Sequence, residues 1–156
     1  MLFRSILCIL PKMPFHLAVF DINAADTYIP QFPEISHWYV GGHSLGGSMA
    51  ASYAAKNSEK LEGLILLASY SASDLSQSGL KVLSIFGSRD GVLNKDSYHS
   101  SRSNLPADFS ELMLSGGNHA GFGYYGPQKG DETAGITPEQ QQTETAHAVA
   151  EFCLTH

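Results

Sequence analysis

The stretch "HWYVGGHSLGGSMAASYAAK", His37 to Lys56, constrains the fold more than any other part of the sequence. An apolar run of strand character meets an Ala-rich run of helical character across the segment Gly42-His43-Ser44-Leu45-Gly46. Glycines are needed where the backbone turns sharply or where two main chains approach too closely for a Cβ. A strand that turns into a helix within five residues does both, and a serine at its apex is forced into a strained conformation with its hydroxyl exposed. Side chains at Gly42 or Gly46 are therefore expected to collide with the strand and helix packed against the turn. A Gly-rich helix start that binds an anion is the alternative use of such a segment.

The rest of the chain supplies the frame for this turn. Short apolar runs at Ile6–Leu10, His37–Val40, Gly63–Ala68, Val82–Phe86 and Phe109–Leu114 alternate with segments of helical spacing at Leu17–Ile29, Leu45–Lys56 and Asn94–Asn104. Runs as continuous as "GLILLA" suit strands of a parallel sheet buried on both faces. A last helix is marked by Thr137 as cap, Pro138 in its first turn and Gln140 completing a capping box, with Ala146, Val149, Ala150 and Cys153 as the face turned to the sheet. The alternation predicts an α/β fold: a mostly parallel sheet of about five strands flanked by helices on both faces. The 156 residues suffice for one core and one domain, residues 1–156. A net charge of −6 without a basic stripe argues against nucleic acid as a partner. The apolar run Ile6–Leu10 is too short for a membrane span or an export signal. Cys8 and Cys153 lack metal-ligand spacing and read as two buried small hydrophobes.

A serine hydroxyl is a weak nucleophile until a base takes its proton, and that base needs a carboxylate to fix its tautomer. Two downstream sites fit. "VLSIFGSRDGVL" places Asp90 in the loop after one apolar run, and "ELMLSGGNHAGFG" places His119 in the loop after the next, between glycines that leave room for a substrate. Asp74, in "ASYSASDL", is the rival acid, but it sits where an aspartate commonly caps a helix. Asp96 and Asp108 read as solvated or capping residues. His43 adjoins Ser44 in sequence yet points elsewhere on a sharp turn, and His16, His37, His99, His147 and His156 occupy helical, strand-edge or terminal contexts.

Taken together, "KMPFHLAVFDINAAD", "WYVGGHSLGGSMAASYAAK", "GLILLASYSASDLS", "GLKVLSIFGSRDGVLN" and "GGNHAGFGYYGPQKGD" resemble a bacterial branch of the α/β-hydrolase superfamily, over most of the chain from Lys12 onward. The resemblance implies Ser44 as nucleophile, Asp90 as acid, His119 as base and esterase-like hydrolysis. It also implies strands ahead of Ile6 and a loop whose backbone N–H supplies half of an oxyanion hole. These have no counterpart in this sequence, so the domain is expected to be a truncated α/β-hydrolase core, incomplete at its amino end. The amide of Leu45 supplies one oxyanion donor and the second has no visible source. Ile6–Leu10 is then expected either to pair with the Ser44 strand or to leave an open sheet edge through which copies of the chain associate.

The expected reaction is hydrolysis of a small neutral carboxylic ester through an acyl-enzyme on Ser44, with no metal or organic cofactor. A weakly active or inactive scaffold, and an acyltransferase or thioesterase using the same three residues, are the alternatives. Phe122, Tyr124 and Tyr125 either wall a substrate site or pack the Gly-rich loop from Gly121 to Gly135 onto the domain. Acyl and alcohol specificity, and localisation, are not written in these residues.

Overall fold

The computed structural model describes residues 5–16 and 18–155. Four of the expected apolar runs form strands: β1 Tyr39–His43, β2 Gly63–Leu67, β3 Lys81–Gly87 and β4 Ser110–Leu114. They form one parallel sheet in the order β1-β2-β3-β4, with Gly41 opposite Ile65, Ile65 opposite Leu83, and Ile85 opposite Leu112. Helix α1 is a single turn, Ala25–Tyr28; α2 spans Leu45–Lys56, α3 Lys95–Ser101 and α4 Pro138–Leu154.

The alternation of side chains along each strand divides the core in two. Val40, Leu64, Leu66 and Val82 pack with Ala50, Ala51 and Ala54 of α2. Ile65, Leu67, Leu83, Ile85 and Leu114 pack with Ala148, Val149 and Phe152 of α4. Both faces are thus covered, which is why the central strands are apolar on both sides. The small side chains of α2 let its backbone lie close to β1 and β2.

Several expectations are corrected. Ile6–Leu10 forms no strand: Ile6 and Leu7 are about half exposed and Leu10 is 94% exposed. Among the described residues β1 pairs with β2 alone, so its other edge is open and the sheet has four strands rather than five. The segment Leu17–Ile29 is not one helix. Of its described residues, Ala18–Phe20 forms a 3-10 turn and Ala25–Tyr28 a single α-turn; Leu17 lies outside the described residues. Asp21, Asn23 and Asp26 are poor helix-interior residues that favour turns. The most deeply buried residues of α4 are Gln141, Thr145 and Phe152; of the expected face Val149 and Cys153 pack against the core, Ala150 is half-buried and only Ala146 is exposed. Cys8 is exposed as well.

Helix α3 begins where expected: the Asn94 side chain accepts a hydrogen bond from Ser97 N–H, and the helix tightens into a 3-10 turn at Arg102–Asn104. Thr137 caps α4 by accepting from Gln140 N–H at 3.2 Å. The reciprocal half of the capping box is missing, because the Gln140 amide donates to Glu144. Among the described residues no helix is long and apolar enough to cross a membrane.

Candidate active site

Ser44 stands between β1 and α2 with φ 52° and ψ −123°, a left-handed-side conformation that costs a non-glycine residue on the order of 1–3 kcal/mol. The surrounding bonds hold it there. Its N–H donates to Leu67 of β2 at 2.9 Å, and its carbonyl accepts from Gly47 N–H, Ser48 N–H and the Ser69 hydroxyl, the last at 2.7 Å. A Cβ on Gly42 would lie 2.5 Å from the Gly46 carbonyl carbon, and one on Gly47 would lie 2.6 Å from the Gly42 oxygen. Gly42 therefore behaves as expected. Gly46 does not: a Cβ there meets nothing within 4 Å, and Gly47 is the second glycine that close packing requires. As the first residues of α2, Leu45 and Gly46 have backbone N–H groups with no acceptor inside the helix.

Asp90 and His119 are brought together from the loops after β3 and β4. Both are essentially inaccessible, and Asp90 Oδ2 lies 2.9 Å from His119 Nδ1. The other carboxylate oxygen accepts from Val92 N–H and Leu93 N–H at 2.9 and 2.8 Å. Burial pushes the Asp90 pKa up. The hydrogen bonds from His119, Leu93 and Val92 outweigh it, and the carboxyl ends below its usual range. An ionised carboxylate only accepts hydrogen bonds, so His119 carries its proton on Nδ1 and presents a lone pair at Nε2. That Nε2 is buried and has no hydrogen-bond partner among the described residues, the Ser44 hydroxyl included.

His43, set aside on sequence grounds, turns out to face His119: their ring centroids are 4.5 Å apart. The His43 ring also lies 5.6 Å from Phe122 and 5.8 Å from Tyr125. Burial, then the neighbouring His119 charge, push its pKa down to about 4, so it is neutral at pH 7. Asp74 lies outside this cluster; it is exposed and accepts a hydrogen bond from Ser76 N–H in its own turn.

Two further residues secure the base loop. Gln141, completely buried in the first turn of α4, accepts from Asn118 N–H and donates to Asn118 C=O. A Cβ on Gly121 would come within 2.2 Å of the Gln141 side-chain oxygen, so the glycine after Ala120 gives the helix side chain its place. Asp131 accepts from Gly91, His119, Ala120 and Glu132 N–H groups. Of the aromatic residues after the base, Phe122 packs against the α4 side of the core, Tyr124 is 76% exposed, and Tyr125 donates from its hydroxyl to His119 C=O. A 370 Å³ cavity under the Gly-rich loop is lined by Tyr124, Pro127, Ala134 and Ile136 among others, with neither Ser44 nor His119 in its wall. Among the described residues no group of three or more His, Cys, Asp or Glu side chains could hold a metal ion.

Comparison with known proteins agrees with this architecture. No curated protein matches the chain. Its fold is similar to that of a monoacylglycerol lipase from Paleococcus ferrophilus (TM-score 0.64, 14% identity, covering 90% of this chain and 76% of that one). It is similar also to a thermophilic esterase from Thermogutta terrifontis (TM-score 0.60, 10% identity, 94% and 76%). A third similar structure is a predicted CIB-like hydrolase from Thermoplasma acidophilum (TM-score 0.55, 17% identity, 83% of this chain), of which the chain spans 59% of the length. A family model matches residues 4–143, and the parallel sheet, the strained serine between β1 and α2 and the buried Asp90–His119 pair stand within that span: the chain belongs to the alpha/beta hydrolase family.

Proposed function

We propose that the protein is a serine hydrolase of carboxylic esters, with Ser44 as nucleophile, His119 as general base, Asp90 as its orienting carboxylate and the Leu45 N–H as an oxyanion donor. The observation that carries this reading is the buried, unpartnered Nε2 of a histidine whose other ring nitrogen is held by Asp90. A buried acceptor left without a partner costs about 1–3 kcal/mol, a cost that an incoming serine proton relieves. The resting structure has no hydrogen bond between Ser44 and His119; such bonds often tighten only when substrate is bound. The names lipase and esterase borne by two of the similar structures are in keeping with an ester substrate.

In this mechanism His119 Nε2 takes the hydroxyl proton as Ser44 Oγ attacks the ester carbonyl. Asp90 stabilises the imidazolium, and the oxyanion receives the Leu45 N–H at the positive end of α2. The imidazolium returns its proton to the departing alcohol, leaving an acyl group on Ser44. His119 then activates water, which releases the acid. The strained backbone at Ser44 keeps the hydroxyl at the tip of the turn throughout.

A fluorophosphonate probe tests the assignment. Ser44 is expected to be the labelled residue in the intact chain, with labelling abolished in Ser44→Ala and slowed by orders of magnitude in His119→Ala. Equal labelling of all three proteins would overturn it.

A further inference from the structure

Asp131 lies 12 residues beyond His119 and 40 beyond Gly91, yet its one carboxylate reaches both. Oδ1 accepts from Gly91 N–H at 3.1 Å, from His119 N–H at 3.2 Å and from Glu132 N–H at 3.0 Å, and Oδ2 accepts from Ala120 N–H at 2.8 Å. Gly91 immediately follows the acid Asp90, so three of these four donors flank or belong to the two residues that must stay paired. The neighbouring main chain is pressed onto the same place. A Cβ on Gly91 would stand 2.4 Å from the Gly130 oxygen, and the Asn118 side chain donates to Glu132 C=O at 2.8 Å. Gly130 reaches this position with φ +90°, a conformation natural to glycine.

We infer that Asp131 is a positioning residue of the proposed hydrolase: its carboxylate clasps the acid loop to the base loop. The inference rests on the proposed function for its catalytic consequence, but the clasp itself is a matter of geometry. Its bonds join the two loops at the acid and the base themselves, whereas the Ser88 N–H to Leu114 C=O, Gly116 N–H to Ser88 hydroxyl and Arg89 N–H to Gly117 C=O bonds join them nearer the strand ends. Reaction between a base and a nucleophile depends steeply on their placement, and a displacement of about 1 Å can cost on the order of 10²-fold in rate.

The variants are Asp131→Asn, which is nearly isosteric and loses the charge, and Asp131→Ala, which loses every acceptor. Asp108→Asn, at an exposed site, serves as the control for net charge. Two readouts are taken on the full chain. The first is hydrolysis of p-nitrophenyl acetate and the rate of fluorophosphonate labelling at Ser44 as functions of pH. The second, independent of activity, is the proton NMR signal of the His119 Nδ1–H bonded to Asp90, together with titration of the imidazole. The expected result is a fall in kcat on the order of 10²-fold for Asp131→Ala and a smaller one for Asp131→Asn, with KM little changed. The Nδ1–H signal should weaken, and Asp108→Asn should behave as the unsubstituted protein. Folded Asp131 variants that keep the rate and the signal would overturn the inference. If the unsubstituted protein neither hydrolyses the ester nor labels at Ser44, the proposed function fails while the NMR comparison still decides the clasp. Should Asp131→Ala not fold, the near-isosteric Asp131→Asn decides it.

Discussion

His43 provides an acid switch on stability whose size follows from its surroundings. In an unfolded chain its imidazole would titrate near 6.5, whereas in the folded protein its pKa is pushed down to about 4. The groups around it are the His119 ring, which repels a proton on His43, the rings of Phe122 and Tyr125, and the Asp90 and Asp131 carboxylates, which partly favour it. Because the folded pKa is depressed, the unfolded chain binds the proton first. The stability is therefore fully present above the unfolded pKa and is lost as the pH falls toward the folded one. Between pH 7 and pH 4.5 this amounts to about 2.5 kcal/mol, reduced to about 2 kcal/mol because the ring keeps some contact with solvent. The measurement is urea unfolding at the two pH values for the unsubstituted protein and for His43→Gln. The variant is expected to lose about 2 kcal/mol less than the parent between pH 7 and pH 4.5, a gap of roughly 4–8 °C in Tm for a chain of this size. Parallel losses in the two proteins would show that His43 is protonated at no extra cost in the folded state, and the reasoning from its burial would be wrong.

Two further outcomes are expected. Gly42→Ala, whose Cβ meets the Gly46 and Gly47 backbone, should destabilise the chain by about 1–3 kcal/mol in chemical unfolding. Gly46→Ala, with open space and a helical position, should be neutral or stabilising by up to about 1 kcal/mol. In ester hydrolysis assays Asp90→Asn should lower kcat by roughly 10⁴-fold through loss of the tautomer control described for such triads. Asp74→Asn should leave kcat unchanged; a loss there equal to that of Asp90→Asn would reassign the acid.

The parts of the molecule legible in its sequence are those set by neighbours along the chain. "GLILLA" and "KVLSIFG" announce strands because burial on both faces leaves no polar alternation, and "GHSLGG" announces its turn because the close packing at Gly42 and Gly47 leaves no room for a Cβ. The placement of Asp90 and His119 in loops after strands is legible for the same local reason, each following an apolar run. Ile6–Leu10 looked like a strand on composition alone, but a strand also needs a partner, and a single segment cannot show whether one exists. The apolar part of the inner face of α4, Val149 and Cys153, is legible from its spacing, whereas the first members of that face are not, because they are polar. Gln141 and Thr145 are inside since Gln141 satisfies the Asn118 peptide 23 residues away and Thr145 bonds back to Gln141 C=O. Asp131 and the contact of His43 with His119 were hidden likewise, because only the folded chain brings their partners near.

The grip of Gln141 on Asn118 couples the carboxyl-terminal helix to the loop of the proposed base as well as to the core. Phe152, near the far end of α4, anchors that helix in the apolar layer over β3 and β4, while its first turn holds the peptide just before His119. Fraying or clipping that begins at the last residues thus loosens the hydrophobic anchor first and slackens the imidazole next, so function would fade while the strands beneath were still paired.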